Sequence, residues 1–159
     1  DDSHVGEAFW LYAQRKSRDV SAGSTTSCAA MVDMFSVLGQ KTSWDIDAIV
    51  THTGQVLSDG VVLRTVTLVP AGPRAGVLGF SATGFRPEYV DAGDQVRHFV
   101  GYFAAGVRMP SARLAPILAE LRDANQRADY SLGVYASNLA ARVKDNPRQL
   151  QSALGATCR

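Results

Sequence analysis

Val61-Val62-Leu63-Arg64-Thr65-Val66-Thr67-Leu68-Val69 is the stretch on which the fold class turns. It is rich in β-branched residues, whose stiff side chains favour extended backbone. Pro70-Ala71-Gly72-Pro73-Arg74-Ala75-Gly76 interrupts it, and Val77 to Thr83 is a second candidate strand. The pattern predicts a β-hairpin over residues 61–83 with a seven-residue tip, and the only substantial β-structure of the chain. Gly84 to Gly93, which contains Pro87, reads as loop.

Everything on either side of this insertion reads as helix. Ser3 to Arg18 places Val5, Phe9 and Tyr12 at helical spacing and ends at Ser21-Ala22-Gly23. Ser24, Thr25 and Thr26 offer caps for a second helix striped by Cys28, Met31, Val32, Phe35 and Leu38, with Gly39 expected as its C-terminal cap. Ser43 is expected to cap a shorter helix carrying Ile46, Ile49 and Val50 and stopping at Gly54. After the hairpin, Asp91 or Asp94 caps a segment with Val96, Phe99, Val100, Phe103, Ala104 and Val107 on one face. Pro110-Ser111 restarts the chain into Leu114, Ile117, Leu118 and Leu121, with Pro116 at an early helical position. Asp129 is expected to cap the next helix, which carries Leu132, Tyr135, Ala136, Leu139, Ala140 and Val143. Asn146-Pro147-Arg148-Gln149 reads as a start signal for a last helix running to Gly155. The sequence therefore predicts a mainly α fold: one helical domain, residues 1–159, of about six to seven helices with one inserted β-hairpin near 61–83.

Size and composition agree with that architecture. The chain has 159 residues, 46% of them hydrophobic and 19% charged, enough for one packed core and too apolar for a disordered tail. Sixteen basic residues against fifteen acidic ones give a net charge of +1, which asks for no polyanion, so no nucleic-acid partner is expected. The longest uncharged stretches, such as Val20 to Val32, are shorter than the roughly 20 apolar residues of a spanning helix, so no transmembrane segment is expected. The chain begins Asp1-Asp2 without Met, so its start is expected to have been removed by processing or design, and no signal peptide is visible.

The two cysteines, Cys28 and Cys158, are 130 positions apart, which excludes a CxxC redox or zinc motif. They are either two buried free thiols or a disulfide tying the second helix to the C-terminus. The end of the chain is a poor place to bury a thiol, and this favours the disulfide. A disulfide in turn implies an oxidising compartment, so a secreted or periplasmic location is expected.

The strongest chemical candidate is Asp94-Gln95-Val96-Arg97-His98 with Tyr102. Asp94, His98 and Tyr102 recur at i, i+4, i+8 and share one side of a helix whose apolar stripe faces elsewhere. A carboxylate one turn before a histidine fixes its tautomer and raises its basicity, as a general base requires, or else is simply a helix cap with an exposed ion pair. Arg97 and Arg86 are candidates for stabilising negative charge. His98, Asp94, Arg97 and Tyr102 are thus the candidate catalytic residues.

Other constellations are weaker. His4 and Glu7 at i, i+3 supply two possible metal ligands where three or four are needed, and His52 reads as solvated surface at a helix end. A small helical domain with a hairpin and an early helical Glu invites comparison with the architecture of lysozyme-type folds, in which Glu7 would be the acid and an Asp such as Asp59 the second carboxylate. No residue motif carries that comparison, so it identifies no family. There is no Walker loop, GxGxxG, GxSxG or HExxH, and neither a cofactor nor a metal is expected.

Two functions remain. One is a small exported hydrolase, of effector or cell-wall-active type, acting on an extracellular substrate through His98 and Asp94. The other is a non-catalytic exported module that binds a protein or ligand. A cleft containing His98, Arg97 and Tyr102 would favour the first, and exposed Trp10, Trp44, Phe85 or Tyr89 the second.

Overall fold

The computed structural model describes residues 2–74 and 79–159. Seven α-helices and one two-stranded antiparallel hairpin form among them, so the chain is mainly α with a single inserted hairpin. The helices are α1 (Asp2–Ser21), α2 (Ser27–Lys41), α3 (Ile46–Ser58), α4 (Gln95–Arg108), α5 (Ser111–Asp123), α6 (Arg127–Val143) and the short α7 (Leu150–Ala153). The strands are β1 (Val61–Leu63) and β2 (Val66–Val69).

The hairpin is tighter than the sequence predicts. Its turn, Arg64-Thr65, lies inside the β-branched run itself, with Leu63 paired to Val66, Val62 to Thr67, and Val61 to Val69 across a bulge. No Gly or Asn marks this turn, because Arg64 itself takes a positive φ of 56° and its guanidinium is held 2.6 Å from Glu120 of α5. The expected second strand does not pair. Val77 lies outside the described residues, and Gly79 to Thr83 run as coil. Their polar groups go to the start of α2 instead: the Ser27 N–H donates to Thr83 Oγ1 at 2.9 Å, the Cys28 N–H to the Thr83 carbonyl at 3.0 Å, and the Ser81 N–H to Ser27 Oγ at 2.9 Å. Extended propensity is satisfied there by a helix terminus rather than by a ladder.

Several helix boundaries also shift. Thr26 caps α2 by accepting from the Ala29 N–H at 3.1 Å, as one of the expected candidates. Gly39 is not its cap; α2 continues to Lys41. The chain then reverses through Ser43 and Trp44, both at positive φ, and lays the indole on Gly39, where a Cβ would stand 2.4 Å from the ring. Asp45, not Ser43, caps α3, and α3 runs past Gly54 to Ser58. His52, on the inner face of this helix, is 4% exposed, so it is not surface. In the C-terminal segment, Asn146 makes no side-chain cap, and two 3-10 turns flank the four-residue α7.

The core is built on the packing of α4 against α6, with α2 and α3 closing the other side. Phe99 and Phe103 of α4 meet Phe35 of α2 edge-on, at centroid distances of 5.8 and 5.4 Å. Gly106 permits the close crossing of α4 and α6: a Cβ there would lie 2.4 Å from the Ser137 carbonyl oxygen. Arg108, at the end of α4, fixes the hairpin to this frame. It donates to the Leu68 carbonyl at 2.7 Å and to Thr51 Oγ1 of α3 at 2.8 Å, and it pairs with Asp47.

Cys28 and Cys158 form a disulfide with their Cα atoms 5.7 Å apart. The last residues are extended beside Gly84 to Arg86: the Arg86 N–H donates to the Thr157 carbonyl at 3.2 Å and the Arg159 N–H to the Gly84 carbonyl at 2.8 Å. The C-terminus is thus tied to the start of α2 by a covalent bond and to the Gly84–Arg86 segment by two hydrogen bonds.

Two outcomes follow from this packing. Reducing the disulfide, or replacing Cys158 by Ala, is expected to lower unfolding stability by about 4–5 kcal/mol, since the bond closes most of the chain into one loop; urea unfolding with and without reductant measures it. Gly106→Ala is expected to cost about 1–3 kcal/mol by forcing α4 from α6. An unchanged melting temperature would mean that the two helices separate freely.

Candidate functional site

Asp94, Arg97, His98, Gly101 and Tyr102 follow the i, i+3, i+4, i+7, i+8 pattern and form one face of α4. That face borders a cavity of about 460 Å3 whose opposite wall is the turn and strand Ser58 to Leu63. The structure therefore brings all four candidate residues to one cavity, and the hairpin supplies the wall that the sequence reading lacked. Arg86 is elsewhere: it is exposed and faces Glu88 at 3.7 Å and the Ala156 carbonyl at 3.5 Å.

Within the cavity the roles differ from the expected pairing. The Asp94 carboxylate is the N-cap of α4 and accepts from the Arg97 N–H at 3.1 Å. The partner of His98 is Asp129 of α6, whose Oδ1 lies 3.7 Å from His98 Nε2. This is a charge contact, longer than a hydrogen bond. Asp129 is not the cap of α6, a place held by Gln126, but a residue of its first turn directed at α4. Its Oδ1 also accepts from Gln95 Nε2 at 3.3 Å, and the same nitrogen donates to the Tyr89 carbonyl at 2.7 Å. Gln95 is almost wholly buried, so this fork fixes Asp129 from beneath. The Tyr102 ring lies against the imidazole, with centroids 4.9 Å apart and planes tilted by 41°.

His98 Nε2 is buried and makes no hydrogen bond. The side chain as a whole is 23% exposed and borders the cavity. Burial lowers the imidazole pKa below its ordinary 6.5, outweighing the opposing pull of Asp129 and Asp91. Burial raises Asp129, against the attraction of His98, and the neighbouring Asp91 pushes it further up. Asp94 is raised by burial too, against the Arg97 and Val96 N–H groups. Burial, assisted by Asp129 and Glu120, pushes the Tyr102 phenol up to about 12, so it remains a donor at neutral pH. The site thus holds a neutral, accessible imidazole beside a protonated phenol, with the exposed Arg97 guanidinium at the rim.

The remaining sequence candidates lie apart. Glu7 is exposed, 3.8 Å from Arg74, and does not border the cavity that Asp59 lines, so the two do not form a carboxylate pair across one cleft. Among the described residues no cluster of His, Cys, Asp or Glu is arranged to hold a metal ion, and no helix is long and apolar enough to cross a membrane. Sequence reasoning missed Asp129 and Gln95. The sequence offers the first as a cap and gives the second no role, and only the α4–α6 crossing joins them. Compared with known protein families, curated proteins and solved structures, the chain matches none.

The buried imidazole makes stability depend on pH. An unfolded chain protonates His98 near 6.5, whereas the folded chain does so at lower pH, so folding stability falls as pH drops from 7 toward 5. The raised carboxyls have the opposite sign: their contribution is present at acid pH and lost as pH rises from 3.8 through their raised values. His98→Asn is therefore expected to flatten the decline between pH 7 and 5, read as urea midpoints at each pH. Parallel curves for the two proteins would refute a depressed His98.

Proposed function

We propose that the protein is a small exported hydrolase in which His98 acts as general base. The observation that carries this reading is the placement of a partly exposed imidazole on the wall of a cavity, with Asp129 behind its Nε2. In such a site the imidazole removes a proton from water as its oxygen attacks an electrophilic centre. The bond to the leaving group then breaks, and the imidazolium returns the proton to it, so one water is consumed and the base is regenerated. Asp129 positions the ring and favours the transient imidazolium. Arg97 is the cation available to charge developing on the substrate, and Tyr102 a neutral donor. Asp94 holds the start of α4, and thereby the position of Arg97, in place.

Burial of Trp44, Phe85 and Tyr89 supports this reading over a binding module anchored by aromatic residues, since those rings are spent on the core. The disulfide supports export, because such bonds persist in oxidising compartments.

The test is hydrolysis of a panel of activated esters, anilides and glycosides. His98→Ala is expected to reduce kcat/KM by about 100-fold or more, and Asp129→Asn by less, with melting temperatures within a few degrees of the parent. The acid limb of the pH–rate profile is expected below 6.5, as the depressed imidazole requires. Undiminished turnover by His98→Ala would remove the proposal.

A further inference from the structure

The wall opposite His98 is a strand bordering the cavity along its edge. Successive strand side chains point to opposite faces of a sheet, so a cavity touched by Val61, Val62 and Leu63 in turn runs beside the backbone. No residue of β2 borders it, so the edge concerned is the one β1 does not share with β2. Leu63 and Val66 flank the two-residue turn as a hydrogen-bonded pair, and alternation then makes Val62–Thr67 a non-hydrogen-bonded one. The N–H and C=O of Val62 therefore point outward, and among the described residues no backbone hydrogen bond outside the hairpin occupies either. The Val62 side chain is 58% exposed beside them.

Across the groove, the α4 face from Asp94 to Tyr102 extends about 12 Å, at about 1.5 Å per residue. That is the length of three to four residues of extended chain at about 3.3 Å each. The walls carry two carboxylates, Asp59 and Asp94, against the single cation Arg97, and Asp91 and Asp129 add negative charge behind His98.

We infer that the groove takes an extended polypeptide segment with a basic side chain, which adds as a short strand to the outer edge of β1 and lays a main-chain amide against His98. Strand addition uses the unpaired groups of Val62, as in other sheet-edge recognition. Asp59 and Asp94 receive the basic side chain, and Arg97 faces the amide oxygen. The inference rests on the hydrolase reading for its reaction: water adds to the amide carbon, the C–N bond breaks, and the proton taken by His98 passes to the departing amine.

The experiment titrates isotopically labelled His98→Ala protein, which binds without turnover, with acetyl-Val-Thr-Lys-Val-Thr-Val-amide. Saturable amide shifts are expected at residues 61–63 and 97–102. Replacing the peptide Lys by Glu is expected to weaken binding about ten-fold, and Val62→Pro, which removes one outward donor from an edge position, by a similar factor. Should Val62→Pro disturb the hairpin, the backbone N-methylated peptide read on the Val62-containing protein tests the same bonds. Absence of saturable shifts, or shifts indifferent to both Val62→Pro and N-methylation, overturns the inference. Incubating parent protein with the peptide, followed by mass spectrometry, separates the two claims. Binding without cleavage at any pH upholds the peptide groove and defeats the hydrolase reading. Turnover of a panel substrate by a protein that ignores the peptide does the reverse.

Discussion

The close crossing of α4 and α6 is the constraint on which the rest depends. Two helices carrying ordinary side chains pack about 8–10 Å apart, and the absence of a side chain at Gly106 lets the backbone of α6 come against α4. This crossing buries Phe99 and Phe103 on one side of α4. On its other side it brings the first turn of α6 to His98, so the same contact that fills the core also desolvates the imidazole. A histidine on the outer face of an isolated helix would titrate near its ordinary value. Here the approach of α6 removes water from one ring nitrogen and puts Asp129 in its place, at a distance that attracts without a hydrogen bond.

The second wall depends on a different set of bonds. A two-stranded hairpin is marginal on its own, and this one is held by Arg108, which reaches from α4 to the β2 backbone and to α3 at once. The Arg64–Glu120 pair adds a contact at the turn, but both side chains are half exposed or more, and such pairs contribute at most about 1 kcal/mol. The base of the hairpin is therefore the rigid end and its turn the freer one. The cavity wall starts at that rigid end, at Ser58 to Val61, and runs along β1 to Leu63 beside the turn.

The fold was legible in the sequence wherever the signal was local and strong. The stripes of α2, α4 and α6 are periodic because each helix buries one face, and the run at residues 61–69 stands out because β-branched residues cluster nowhere else. Boundaries were misread where a long-range contact overrides a local rule. Gly39 looks like a cap and is a seat for Trp44; Arg64 looks like strand and makes a turn; Gly79 to Thr83 look like a strand and instead satisfy the N-terminus of α2. Half of the site was legible for the same reason. Asp94, Arg97, His98 and Tyr102 share a helix face and so a cavity, but which carboxylate meets the histidine is decided between helices. Local spacing favoured Asp94, whose oxygen is committed to the Arg97 N–H. Tertiary packing supplied Asp129.

That division of labour between the two carboxylates shapes the electrostatics of the site. A cap carboxylate is held by backbone N–H groups and keeps its geometry whatever the state of the histidine, so Asp94 is a fixed feature of the groove wall. Asp129 is different, because burial raises its proton affinity first and three neighbours then act in opposing directions: His98 lowers it, Asp91 raises it, and Gln95 lowers it by donating to the same oxygen that faces the imidazole. A proton arriving on His98 therefore strengthens the pull on Asp129, and withdrawal of that proton relaxes it, with Gln95 anchored to the Tyr89 carbonyl throughout. The two groups form one electrostatic unit across the helix crossing. An imidazole in such a unit changes charge without needing bulk water on its buried side, since the compensating charge is already in place. The price of that arrangement is the desolvation that keeps His98 neutral at rest, which is also what lets the imidazole accept a proton.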